Sequence, residues 1–78
     1  VNNLQFKIRE QREKAGMTQV QLAEKSKVSR AIISGLESGS ITVTTTETLL
    51  KIAHALGKNV SDIFTGYTSN ILNRREVI

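Results

Sequence analysis

The chain has no cysteine, no proline and no tryptophan, and its only aromatic residues are Phe6, Phe64 and Tyr67. Without cysteine there is neither a disulfide scaffold nor a thiolate zinc site, so the core is expected to rest on aliphatic packing. His54 is the single histidine, and it stands apart from any cluster of carboxylates, so no metal site is expected and His54 reads as a surface helix residue. No apolar run approaches the ~18 residues that span a bilayer, and no apolar segment follows the first residues. Neither a membrane span nor an export signal is expected, and the location expected is cytoplasmic. A nucleophile with its base and orienting group cannot be assembled, nor can a pair of carboxylates in a pocket. No enzyme activity, cofactor or small-molecule ligand is therefore expected. A chain of 78 residues makes one domain, and a domain of this size buries only roughly 60% of its unfolded surface, too little for several layers around a deep cleft.

What the sequence does hold is enough apolar material to fold and an uneven distribution of charge. Leu, Ile, Val and Phe make up 23 of the 78 residues, above the level of roughly 20% below which disorder is the default. Eleven basic side chains face seven acidic ones, a formal net charge of +4. Residues 1–30 carry seven of the basic residues and three of the acidic ones, while residues 31–78 carry four of each. The whole excess lies in the first 30 residues, as suits a polyanion partner at one end of the molecule. Arg9 with Glu13 and Glu10 with Lys14 stand at i,i+4, so part of that charge is expected to pair along a helix.

The hydrophobic spacing and the capping residues predict an all-α chain of five helices. The first runs from Leu4 to Ala15 on the stripe Leu4, Ile8 and Ala15, with Gln11 a weak spot in that stripe and Gly16 a left-handed stop. Phe6 lies off the stripe and either wraps over the core edge or stays exposed for a partner. Thr18 and Gln21 form a capping box for a second helix that runs to about Ser26 and buries Val20, Leu22 and Ala23. After Lys27 and Val28, Ser29 caps a third helix through Ile33 and Leu36 to Gly39. Two short helices so closely joined must cross steeply, as in a helix-turn-helix. Residues 40–46 are rich in β-branched side chains, but a lone strand has no partner, and Thr44 with Glu47 reads as another capping box. The fourth helix carries Leu49, Leu50, Ile52, Ala53 and Leu56 and stops at Gly57. Asn59 with Asp62 opens a short fifth helix holding Val60, Ile63 and Phe64. Residues 1–66 are read as the folded domain and 67–78 as a tail, either helix or strand, whose Ile71, Leu72, Val77 and Ile78 are available for a dimer contact.

Several groups of residues carry a resemblance: Ile8-Arg9-Glu10 and Arg12 to Gly16, then Thr18-Gln19, Leu22-Ala23-Glu24, Val28-Ser29-Arg30, Ile33-Ser34, Leu36-Glu37, Gly39, Thr48 to Ala53, and Leu56-Gly57. Over residues 4–64, with the motif at about 18–38, the chain resembles the lambda-repressor-like or Xre family, which includes phage repressors and Cro proteins. Two places depart from the family pattern. Ser26 and Lys27 stand where an apolar residue and a glycine are usual, and the loop after the third helix has Ser40, Thr42, Thr44 and Thr45 in place of basic residues.

The resemblance implies a sequence-specific regulator of double-stranded DNA, a repressor of phage or mobile-element type. It would bind a pseudo-palindromic operator as a homodimer, with the third helix in the major groove. Arg30 is implied as a base reader, for a guanidinium bonds guanine O6 and N7 together. Ala31 and Ile32 would offer methyl groups to thymine, Ile32 being otherwise a neighbour of core-facing Leu36. Ser34 and Gly35 lie one turn on, and Gly35 admits a close approach either by DNA or by the fourth helix. Gln19 is implied as a phosphate ligand at the start of the second helix, with Thr18, Lys27, Ser29, Ser40 and Thr42 as further contacts. Arg12 and Glu37 are implied as a partly buried structural pair between helices one and three. A reading of another class is a protein-interaction module, such as an antitoxin or anti-repressor, in which Phe6 and the tail hold another chain.

Overall fold

Five short helices follow one another in the computed structural model, which describes residues 6–64: α1 (Ile8–Lys14), α2 (Gln19–Ser26), α3 (Arg30–Ser38), α4 (Thr46–Leu56) and α5 (Val60–Ile63). No strand is present among the described residues. Leu4, Gly66 and the tail 67–78 lie outside them. The largest fully buried residues are aliphatic and come from every helix: Ile8, Leu22, Ile33, Leu36, Ile52 and Ile63. α2 packs against both α3 and α4, while α1 packs against α3, α4 and α5.

The ends of the helices follow their capping chemistry. Thr18 Oγ1 accepts from the Gln21 N–H at 3.0 Å, and Gln21 Oε1 accepts from the Thr18 N–H at 2.9 Å, which completes the predicted capping box. Ser29 Oγ accepts from the Ile32 N–H at 3.2 Å at the start of α3. Gly16, Gly39 and Gly57 hold the left-handed backbone expected of helix stops. The fourth helix is capped one residue later than predicted, because Thr45 Oγ1, not Thr44, accepts from the Thr48 N–H at 3.1 Å. At α5, the Asp62 carboxylate accepts from the Asn59 N–H at 2.9 Å.

Two expectations need correction. The first helix begins at Ile8, since the chain before it is held to the last helix: Phe6 forms an isolated antiparallel bridge with Phe64, and the Lys7 N–H donates to the Ile63 carbonyl at 2.6 Å. Phe6 is accordingly buried, with its ring stacked on that of Phe64 at a centroid distance of 5.1 Å. Val20 is 48% exposed. At about 100° of rotation per residue it lies roughly 200° round the helix from Leu22, so both cannot face the core. Of the apolar residues that α4 carries, Leu50 is 52% exposed, since Leu49, Ile52, Ala53 and Leu56 already complete an i, i+3, i+4, i+7 stripe.

The turn between α2 and α3 is built from the two residues that depart from the family pattern. Ser26 is buried, and its hydroxyl accepts from the Val28 N–H at 3.2 Å. Lys27 is the one non-glycine residue among those described with a positive φ, 64°. A side chain in that conformation costs about 1–2 kcal/mol, and glycine removes the clash between Cβ and the carbonyl. Lys27→Gly is therefore expected to stabilise the fold by about 1 kcal/mol, read as a higher urea midpoint with an unchanged m-value.

Candidate nucleic-acid interface

The mounting of α3 centres on Glu37, whose side chain has no solvent exposure. Arg12 grips it with two bonds, Nε to Oε2 at 2.7 Å and Nη2 to Oε1 at 3.0 Å, the bidentate fork geometry of strong guanidinium–carboxylate pairs. Arg12 Nη1 donates in addition to the Met17 carbonyl at 2.8 Å, which ties the α1–α2 connection to the same centre. Arg9 Nε adds a bond to Glu37 Oε1 at 3.3 Å and Gln19 Nε2 another at 3.0 Å. Burial pushes the Glu37 carboxyl up, but bonds from Arg12 and Gln19, the Arg12 charge and the Arg9 bond outweigh it and hold the carboxyl below its ordinary value. The bond to Glu37 raises Arg12 in turn.

Arg9 corrects one expected pairing. It bonds Glu37 across the helix interface instead of pairing with Glu13 along α1, whereas Glu10 and Lys14 do pair, at 3.5 Å. The signal was in the spacing, for Arg9 and Arg12 are i,i+3 neighbours on one helix face.

At the start of α3, Ser29, Arg30, Ala31 and Ile32 are exposed, and Ser34 is half-buried. Lys27 just before them and Thr18 at the start of α2 are exposed, as are Ser40 and Thr42 after α3. The N-terminal turns of α2 and α3 meet, because Arg30 Nε donates to Gln19 Oε1 at 3.4 Å. Gln19 thus touches Arg30 with its oxygen and Glu37 with its nitrogen, which leaves one amide hydrogen for any other acceptor. Thr18 and Ser29 have their hydroxyls engaged as helix caps. Ser40 Oγ is drawn back to α3, accepting from Ser38 Oγ at 3.2 Å.

Gly35 is not on this exposed face. It is buried, and a Cβ added there would overlap Ile41 Cδ1 and lie 2.6 Å from Ile41 Cγ1. The close approach it permits is that of the loop after α3, neither of α4 nor of an outside ligand, and the Ile41 N–H donates to the Gly35 carbonyl at 3.0 Å. Ile41 gave no warning of this role in the sequence, being one β-branched residue in a run of them.

A family profile described as Helix-turn-helix matches residues 8–69, most of the chain and all five helices. The chain belongs to the lambda-repressor-like helix-turn-helix family. This helix-turn-helix protein is therefore a DNA-binding regulator, of a family whose members are typically not enzymes. No curated protein and no solved structure matches it significantly. Among the described residues, no helix is long and apolar enough to cross a membrane, and no three His, Cys, Asp or Glu side chains are grouped as metal ligands would be.

Two outcomes follow from the Glu37 centre. Arg12→Ala leaves a buried carboxylate without its main partner and is expected to destabilise the protein by about 3–5 kcal/mol in urea unfolding. Unchanged melting with impaired DNA binding would instead make Arg12 a DNA contact. An unfolded glutamate titrates at about 4.3, and Glu37 lies lower when folded. Its stabilisation is thus complete above the unfolded value and lost as pH falls through the folded one. Urea midpoints measured from about pH 7 down to about pH 3 are expected to fall less steeply for Glu37→Gln than for the wild type.

Proposed function

We propose that the protein is a sequence-specific transcriptional repressor of phage or mobile-element type that reads double-stranded DNA as a homodimer. The observation that carries this reading is the exposed start of α3, with Arg30 beside the N-terminal turn of α2, on a helix whose other side is fixed by Glu37, Ile33 and Leu36. A helix presented in this way enters the major groove with its first residues against base edges, while the preceding helix crosses the backbone. Arg30 takes guanine, and Ala31 and Ile32 take thymine methyls, with Ser34 one turn on. Thr18, Gln19, Lys27, Ser29, Ser40 and Thr42 supply the backbone side of the contact. Two-fold symmetry sets a second α3 roughly 34–36 Å along a pseudo-palindromic operator. Residues 1–66 form the DNA-binding unit in this reading, and 67–78, outside the described residues, supply the dimer contact.

The charge supports the same reading once the paired groups are set aside. Arg9 and Arg12 are held by Glu37 and Lys14 by Glu10; of the four other basic residues in 1–30, Lys7 lies before α1, and Lys25, Lys27 and Arg30, all exposed, stand beside the α2–α3 turn. The alternative, a protein-interaction module, loses one of its supports, since Phe6 is stacked on Phe64 and not offered to a partner.

Titration of labelled random duplex at two salt concentrations is expected to show affinity falling as salt rises, the mark of phosphate neutralisation. On a duplex selected from a random pool, Arg30→Ala is expected to lose about 1–3 kcal/mol and to relax the preference at one base pair in each half-site. Salt-insensitive or absent binding overturns the proposal. An Arg30→Ala variant that keeps the biological effect while deletion of residues 67–78 abolishes it favours the interaction module.

A further inference from the structure

The contacts of Gln19 form a chain that runs from the buried centre to the exposed reading helix. Glu37 Oε1, fully buried, accepts from Gln19 Nε2 at 3.0 Å, and Gln19 Oε1 accepts from Arg30 Nε at 3.4 Å. A carboxylate oxygen only accepts, so the half of the Gln19 amide that faces Glu37 has to be the NH2 group. A flipped amide would set oxygen against oxygen where no water reaches. The Gln19 carbonyl oxygen is thereby turned toward α3, where it can only accept, and the donor it meets is Arg30 Nε–H. That bond occupies the Nε edge of the guanidinium. The end carrying Nη1 and Nη2 has no partner among the described residues, and those two nitrogens match guanine O6 and N7.

We propose that Glu37, acting through Gln19, is a positioning residue for base reading: it fixes which edge of the Arg30 guanidinium faces the groove, and so makes guanine the base selected there. This rests on the reading of Arg30 as the base-contacting side chain. It gives the Arg12–Glu37 pair a second role besides mounting α3, and it makes the Gln19 side chain an element of specificity and not simply a phosphate ligand. An arginine held before DNA arrives gives up less side-chain freedom on binding than an untethered one, and it is less free to turn its other edge to adenine or to a phosphate.

The test uses the full chain as wild type, Arg30→Ala, Gln19→Met and the double variant. Each selects from a random duplex pool, and each is then titrated on the wild-type consensus and on that consensus with the Arg30-dependent guanine changed to adenine. Methionine keeps the length of the side chain and removes both hydrogen-bonding ends. The expected result is that Gln19→Met lowers the guanine-over-adenine preference by about tenfold, and that it has no further effect on that preference once Arg30 is alanine. Equal weakening on both duplexes makes Gln19 a plain phosphate contact and overturns the proposal, as does a loss of preference that is the same with and without Arg30. If Arg30→Ala leaves the selected motif unchanged, the base-reading assignment itself fails. If Arg30→Ala changes the motif and Gln19→Met does not, only the positioning chain fails. Circular dichroism melting accompanies every variant, and Gln19→Ala, a good helix former at the same place, replaces methionine if the latter melts early.

Discussion

A carboxylate without access to water is tolerated only when its lone pairs are answered, and Glu37 is answered from three directions. Arg9 and Arg12 reach it from α1, Gln19 from α2, and the carboxylate itself belongs to α3. The two helices of the motif and the helix before it therefore meet at one group of atoms with directional bonds. An aliphatic core alone would hold them at the right distance yet leave their rotation about one another loosely determined, since apolar contact has no preferred direction. The fork of Arg12 supplies that direction, and its third bond, to the Met17 carbonyl, carries it into the connection before α2. Removing any one donor leaves the remaining bonds to answer a charge that has no other recourse.

The same centre accounts for which positive charges are available to a partner. Composition gives a net +4 concentrated in residues 1–30, yet Arg12 is turned inward, while Arg9 and Lys14 are exposed but paired with Glu37 and Glu10. What remains is Lys7 before α1 and a small group of exposed cations, Lys25, Lys27 and Arg30, flanking the turn. The hydroxyl-rich loop after α3 adds none, and part of it is engaged with its own helix, through Ser40 and through the bond from the Ile41 N–H to Gly35. Affinity for a polyanion in such a protein depends on a few well-placed side chains and on backbone donors more than on total charge.

Local chemistry was legible in the sequence wherever it is decided by a few neighbouring residues. The Thr18–Gln21 box, the Ser29 cap and the three glycine stops each concern atoms within one turn, and they placed four of the five helices to within about two residues, the usual slack in helix ends. The exposure of Val20, against the expected burial, was legible too, in the helical rotation that separates it from Leu22. Other features were not there to be read. The start of α1 is set by Phe64, far along the chain, and the burial of Gly35 by a loop residue indistinguishable from its neighbours. Within the candidate site, the exposed start of α3 was legible because it follows directly from the cap at Ser29. That Gln19 would turn its amide inward to Glu37 was not, since it depends on the relative placement of three helices.

Phe6 and Phe64 bracket all five helices and lie ring against ring, so the described part of the chain begins and ends at one point. Topologically the domain is close to a closed ring. The arrangement suits circular permutation of residues 6–64, with Phe6 and Phe64 joined by a short linker and new ends opened in the exposed loop around Val43. The order of the helices along the chain would then matter less than the ring they close.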